Sequence, residues 1–201
     1  MIDQNLINQN IVALTTAVNN NEIINSQLRL IKNAFHQALI LKLQEYFDQN
    51  YDNDLWVPET TEYGVPMDNI PRFKLTWEAE SVIEELHEIC QALTPLVIEL
   101  YPDTQRKFNG IVIWRDHPGY DLAWHTDNPL IDVSLQIYLS GSPHNPGTEF
   151  KTGDTSLVLP FIPNTGYIVK HTGNRPVHRV AYPVPVGEVR YSLFAIWENI
   201  L

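Results

Sequence analysis

Asn109-Gly110-Ile111-Val112-Ile113-Trp114-Arg115 marks the point where the texture of this chain changes. Asn-Gly is a turn dipeptide, and the β-branched and aromatic residues after it favour a pleated strand. Beyond it the sequence falls into further short segments of that kind, bounded by Pro and Gly, at 133–139, 156–159, 166–170, 177–182 and 189–197. Many short strands without intervening helices predict an antiparallel sandwich or barrel.

Upstream the pattern is helical. From Ser26, a residue type suited to an N-cap, apolar residues recur at Leu28, Ile31, Phe35, Leu39, Leu43 and Phe47, which predicts one long helix with a buried face. A second helix is expected from about Ala79, with Val82, Ile83, Leu86, Ile89 and Leu93 on one side. Thr94-Pro95 then suits a cap and a first helical turn running to about Tyr101. Residues 48–71 read as loop, 72–77 alternate as a strand would, and the Asn- and Gln-rich residues 1–25 read as a short helix or an ordered arm.

The expected fold is therefore mainly β with flanking helices, a single domain over 1–201. Residues 106–201 form the barrel and 1–105 a mostly helical support packed outside it. At 201 residues and 44% hydrophobic content the chain can bury such a core. Its 13 Lys and Arg against 24 Asp and Glu give a formal net charge of −11, which argues against nucleic acid as a partner. The one cysteine, Cys90, sits in the apolar pattern of the second helix, so neither a disulfide framework nor a thiolate metal site is expected. The stretch MIDQNLINQN carries no basic region leading into an apolar run, and no apolar run approaches membrane length. A cytoplasmic protein without membrane contact is the expectation, and oligomeric state is not legible.

His125 and Asp127 are two apart, so on an extended segment both side chains lie on one face, as joint ligation of a metal requires. Asn128-Pro129 places them at a strand end. His178 follows after several intervening strands, and Arg190 after the loop 183–187, which reads as a hairpin joining adjacent strands. By period two Arg190, Ser192, Phe194 and Ile196 share a face, and an arginine on so apolar a face is costly unless an anion meets it. Two imidazoles and a carboxylate form the facial triad of non-haem Fe(II) oxygenases, which leaves three positions open. His171, in the polar turn Lys170-His171-Thr172-Gly173, competes weakly as a ligand. His117 and His144 read as loop residues, His36 and His87 as helical ones, and Trp114, Tyr120 and Trp124 as core aromatics or the border of a substrate pocket.

With those residues in place, the stretch 111–197 resembles the 2-oxoglutarate- and Fe(II)-dependent dioxygenases, in particular the prolyl 4-hydroxylase-like branch. The matching stretches are His125-Thr126-Asp127-Asn128-Pro129, Leu135-Gln136-Ile137-Tyr138-Leu139-Ser140, Gly147-Thr148-Glu149-Phe150, Pro163-Asn164-Thr165-Gly166, Pro176-Val177-His178-Arg179-Val180 and Arg190-Tyr191-Ser192-Leu193. The resemblance implies a double-stranded β-helix, a cupin-like jelly roll. It also implies His125, Asp127 and His178 as iron ligands, with Arg190 pairing the distal carboxylate of 2-oxoglutarate, supported by Ser192 and Tyr138. Arg190 comes later after the last histidine than is usual in that branch, and Thr148 stands where a second glycine is common, which weakens assignment to prolyl hydroxylation. The implied activity consumes O2 and 2-oxoglutarate and hydroxylates a peptide prolyl residue, a free amino acid or a small metabolite. Two other readings compete: a metal-binding β-barrel module that turns nothing over, and a cupin-like metalloenzyme using Zn or Mn without a keto acid.

Overall fold

The computed structural model describes residues 3–59, 71–76, 80–141, 146–173 and 175–200. In chain order its elements are α1 (Gln4–Asn19), β1 (Glu22–Ile23), β2 (Leu28–Lys32), α2 (Gln37–Gln49), β3 (Trp56–Pro58), β4 (Arg72–Leu75), α3 (Glu80–Gln91), α4 (Thr94–Leu100), β5 (Arg106–Asp116), β6 (Ile131–Tyr138), β7 (Pro146–Thr152), β8 (Thr155–Pro160), β9 (Thr165–Lys170), β10 (His178–Val180) and β11 (Arg190–Asn199). The strands form an eight-stranded sheet in the order β1-β2-β9-β6-β11-β5-β4-β3 and a three-stranded sheet in the order β10-β7-β8. Every pairing is antiparallel.

β11 occupies the centre of the large sheet, and its alternation builds two layers at once. Tyr191, Leu193, Ala195 and Trp197 join the larger core, which also holds Leu43 and Phe47 of α2, Leu86 of α3 and Val97 of α4. Phe47 stacks on Tyr191 with ring centroids 4.4 Å apart. The indole N–H of Trp197 donates to Thr94 Oγ1 at 3.1 Å, so this buried ring keeps its one polar atom satisfied. The opposite face of the sheet meets the small sheet across a second cluster of Leu28, Tyr138, Phe150, Leu159, Phe161, Tyr167 and Val169. The expected double-stranded β-helix with helices packed outside is the architecture seen.

Three expectations need correction. The long helix from Ser26 is a strand followed by a helix: residues 28–32 pair with β9, and the helix starts only at Gln37. Leu28 lies in the inter-sheet cluster and Ile31 in the core under the helices, so their spacing reflects opposite faces of a strand. Asn33 at φ 55 breaks the chain direction, and the Asn164 side chain takes both backbone groups of Phe35, at 2.7 and 2.8 Å. His36 then serves as N-cap, its Nδ1 accepting from the Ala38 N–H at 3.3 Å.

The second correction concerns β10 and β11, which are not neighbours. β10 pairs β7 in the small sheet, whereas β11 lies between β6 and β5, so the loop 183–187 crosses between sheets. Thirdly, residue 94 does not cap α4. Leu93 holds that position, and the Thr94 hydroxyl donates to Gln91 O at 2.7 Å, with Pro95 in the first turn as expected.

β1, β3 and β7 were not anticipated as strands. The N-terminal segment is a helix, capped by the Asp3 carboxylate on Asn5 N and Leu6 N and buried through Ile7, Leu14 and Val18. β4 forms as expected, and α3 is seen from Glu80, while Trp77, Ala79 and His144 lie outside the described residues. No helix among the described residues is long and apolar enough to cross a membrane.

Candidate active site

Residues 119–127 form no regular strand, yet they run beside β10 and extend the small sheet. Val184 N donates to Tyr120 O and Val180 N to Leu122 O, both at 3.0 Å, and His125 and His178 exchange both backbone bonds at 2.9 Å. That bridge brings the two imidazoles together, with ring centroids 4.3 Å apart. Phe150 of β7 stacks on His178 from behind at 5.3 Å.

Each ring is oriented by a local carbonyl. His125 Nδ1 lies 2.8 Å from Ala123 O and His178 Nδ1 lies 3.2 Å from Pro176 O, so in the neutral tautomer Nδ1–H donates and the Nε2 lone pair faces inward. Asp127 Oδ1 stands 3.8 Å from His125 Nε2 and 3.5 Å from His178 Nε2. One ligand atom from each of these three residues lies within 4.8 Å of the others. Burial, together with the nearby His178, pulls the His125 imidazole below its ordinary pKa. Burial alone would raise the Asp127 carboxyl, but the close His178 ring and the other two imidazoles, which attract the carboxylate when protonated, outweigh it and hold the group below the usual range. The donor set is therefore two imidazoles and a carboxylate, which fits a divalent iron with open positions.

His171, read from the sequence as part of a polar turn, is instead 1% exposed and touches the site. Its Nε2 lies 3.3 Å from Asp127 Oδ2 and 2.8 Å from Ser134 Oγ. Burial drives its pKa down to about 4.

The three residues open on a cavity of about 160 Å³, whose other walls include Arg72, Tyr120, Gln136, Thr148 and Tyr167. Arg190, Ser192 and Tyr138 lie on the same inward face of the large sheet but do not line this cavity. A chain of side chains links the two regions. Gln136 Nε2 donates to Ser192 Oγ at 3.2 Å, Tyr167 OH donates to Gln136 Oε1, and Tyr138 OH donates to Thr148 Oγ1 at 2.9 Å. Burial pushes the Tyr138 phenol up to about 12, so it remains a donor.

The anion expected to meet Arg190 is present within the protein. Asp116 Oδ2 lies 3.8 Å from Arg190 Nη2, and the same carboxylate accepts two bonds from Arg72, at 2.6 and 3.0 Å. Burial lowers the Arg190 pKa, and Asp116 works against that. Arg72 rests over the Tyr120 ring at 4.1 Å and the Trp114 ring at 4.9 Å.

Trp114 and Tyr120 thus line the cavity, while Trp124 lies against Arg179 at 4.6 Å and Lys151 at 4.9 Å. His117 is half-buried against Phe73 rather than exposed, His36 is a cap, His87 lies on α3, and Cys90 is buried. The sequence did not single out Arg72, Asp116 or Gln136, and it offered His171 as a weak rival ligand rather than as a neighbour of Asp127. Period two from Tyr138 would have placed Gln136 on the inward face, but nothing in the sequence sets Arg72 beside Asp116.

No protein-family model and no curated protein sequence matches the chain. Among solved structures, a prolyl hydroxylase from Trichoplax adhaerens, in complex with a hypoxia inducible factor oxygen degradation domain peptide fragment, aligns with a TM-score of 0.67 at 12% identity, covering 98% of this chain and 91% of its own. The fold is that of the 2-oxoglutarate- and Fe(II)-dependent oxygenases. A prolyl-4-hydroxylase from Pseudomonas putida shares this oxygenase fold with a TM-score of 0.60 at 12% identity, covering 95% of this chain and 100% of its own. So does the epimerase SnoN in complex with Fe3+, alpha-ketoglutarate and nogalamycin RO, with a TM-score of 0.62 at 10% identity, covering 94% of this chain and 83% of its own. One oxygenase fold therefore carries hydroxylases and an epimerase, and the fold alone does not choose between reactions.

Proposed function

We propose that this protein is a 2-oxoglutarate- and Fe(II)-dependent dioxygenase that hydroxylates a peptide prolyl residue or a small amino-acid-like molecule. The observation that carries this reading is the convergence of His125, Asp127 and His178 on one cavity of the oxygenase fold, each offering a ligand atom within 4.8 Å of the others. His125 and His178 would hold the metal through Nε2, because their Nδ1 atoms face carbonyls, and Asp127 through Oδ1. Bound Fe(II) supplies what side chains lack, the activation of O2 at the expense of 2-oxoglutarate.

The protein's own groups orient and enclose. Arg190 is buried at the start of β11, and its role in this reading is to take the distal carboxylate of 2-oxoglutarate. Asp116 faces that guanidinium at 3.8 Å, while Tyr138 and Ser192 stand on the same face as further hydrogen-bonding groups. The apolar inter-sheet cluster next to them limits water. A peptide substrate is supported by the peptide-bound prolyl hydroxylase of the same fold. A cytoplasmic location belongs to the same proposal, in keeping with a sequence that carries no disulfide framework.

The competing reading, a metal-binding barrel without turnover, has one observation behind it: Arg190 faces Asp116 and does not line the cavity. Anaerobic addition of 2-oxoglutarate to the Fe(II)-loaded protein separates the two. The oxygenase develops the weak visible charge-transfer band of a chelated keto acid and releases succinate once O2 is admitted. Fe(II) binding with neither response establishes the binding module.

A further inference from the structure

The two oxygens of Asp127 face different neighbours. Oδ1 looks toward His178 and His125, at 3.5 and 3.8 Å, whereas Oδ2 lies 3.3 Å from Nε2 of His171. His171 is outside the set of three residues whose ligand atoms mutually approach. It is buried just past the end of β9, with its backbone N–H on Asp132 O at 2.7 Å and the same Nε2 held 2.8 Å from Ser134 Oγ, itself 1% exposed. His171 Nδ1 is buried and has no hydrogen-bond partner among the described residues. A buried imidazole with an idle nitrogen is a costly space-filler, so its value lies at the other edge. Asp127 Oδ2 and Ser134 Oγ both lie at Nε2, and a nitrogen lone pair facing a carboxylate oxygen is repulsive. The ring hydrogen therefore belongs on Nε2, shared between the Ser134 hydroxyl at 2.8 Å and Oδ2 at 3.3 Å.

We propose that His171, seated by Ser134, is a positioning residue that holds the Oδ2 edge of Asp127, so that only Oδ1 turns toward the metal. This rests on the metal-centre reading above and adds to it. A carboxylate free to rotate can chelate with both oxygens and take one of the three positions that a keto acid and O2 require. An N–H on Oδ2 blocks that mode and keeps the site open. His171 therefore sets the number of free positions without touching the metal.

The test uses the full-length protein loaded with Mn(II), with two readings that need no turnover. Mn(II) affinity comes from the paramagnetic resonance signal of the free aquo ion, and metal-bound water is counted by line broadening in 17O-enriched water. Wild type is expected to hold about three waters, the open positions of a facial triad. His171→Phe is expected to bind Mn(II) about 10- to 100-fold more weakly, the usual effect of removing a partner that orients a ligand, and to lose one water. His171→Gln, whose amide N–H reaches Oδ2, retains the wild-type water count. His171→Asn, polar but too short to reach, behaves like His171→Phe and carries the test if the latter does not fold. Wild-type affinity and water count in folded His171→Phe or His171→Asn overturn the inference. Mn(II) affinity that survives His125→Ala overturns the metal-centre reading itself, so the two failures are distinct.

Discussion

His125 and His178 exchange both backbone hydrogen bonds, at 2.9 Å each, although one lies in an irregular segment and the other on β10. This isolated bridge joins the two halves of the candidate centre through main chain, so the imidazole spacing is set by backbone geometry rather than by two free side chains. A site prepaid in this way loses little conformational entropy when a metal enters.

Replacing either histidine removes a candidate ligand but leaves the backbone bridge. His125→Ala and His178→Ala are each expected to fold and to lose Fe(II) binding in anaerobic calorimetric titration. Unchanged affinity in both would show that the metal, if it binds, sits elsewhere.

Arg190→Ala should leave metal affinity nearly intact and weaken 2-oxoglutarate by a few kcal/mol, about the cost of removing one partner of a desolvated charge pair. Arg190→Lys recovers part of this, because lysine lacks the planar fork that matches a carboxylate. Tyr138→Phe costs less, about 0.5 to 1.5 kcal/mol, the net value of one hydrogen bond. Titration of 2-oxoglutarate into the Mn(II)-loaded protein measures all three, and equal affinities for wild type and Arg190→Ala would sink the co-substrate assignment.

Asp116 serves two guanidinium groups, that of the half-buried Arg72 and that of the buried Arg190. Asp116→Ala takes that carboxylate from both, and a loss of about 3 to 5 kcal/mol in urea unfolding is expected. Arg72→Ala should cost less, since Arg190 still faces the carboxylate. The reverse order would mean that Arg72 contributes mainly by packing on Tyr120 and Trp114.

Stability of the metal-free protein should fall as pH drops below about 6.5, the pKa of an unfolded histidine. His125 and His171 are both held below that value, His171 at about 4, so the folded state keeps them neutral where the unfolded state is already protonated. Their contribution is complete above pH 6.5 and is lost as pH falls toward 4. Asp127, also depressed, adds a loss at still lower pH, because its carboxylate must then be protonated. Urea midpoints between pH 7 and 4 measure the slope, and His171→Gln should flatten it. A flat profile in the wild type would contradict the burial of these rings.

Local chemistry in the sequence was enough for much of this protein. The β-rich texture after Asn109-Gly110 pointed to the barrel, helical spacing to the amphipathic faces of α3 and α2, and the His125, Asp127 and His178 pattern to the three residues that converge on the cavity, whereas Arg190 lies outside it. Each of these is a matter of residue type at short range, where period two or 3.6 leaves a direct imprint. Tertiary structure decided the rest. Leu28 and Ile31 fit a helical repeat as well as a strand, and only pairing with β9 and the grip of Asn164 on Phe35 select the strand. His178 and Arg190 are close in sequence yet lie in different sheets, because the chain between them crosses from one sheet to the other instead of turning back. His171 reads as a turn residue until folding sets it against Asp127, and Arg72 meets Asp116 only because β4 pairs with β5. Contacts of that kind are fixed by the register of distant strands, and no local period in the chain encodes them.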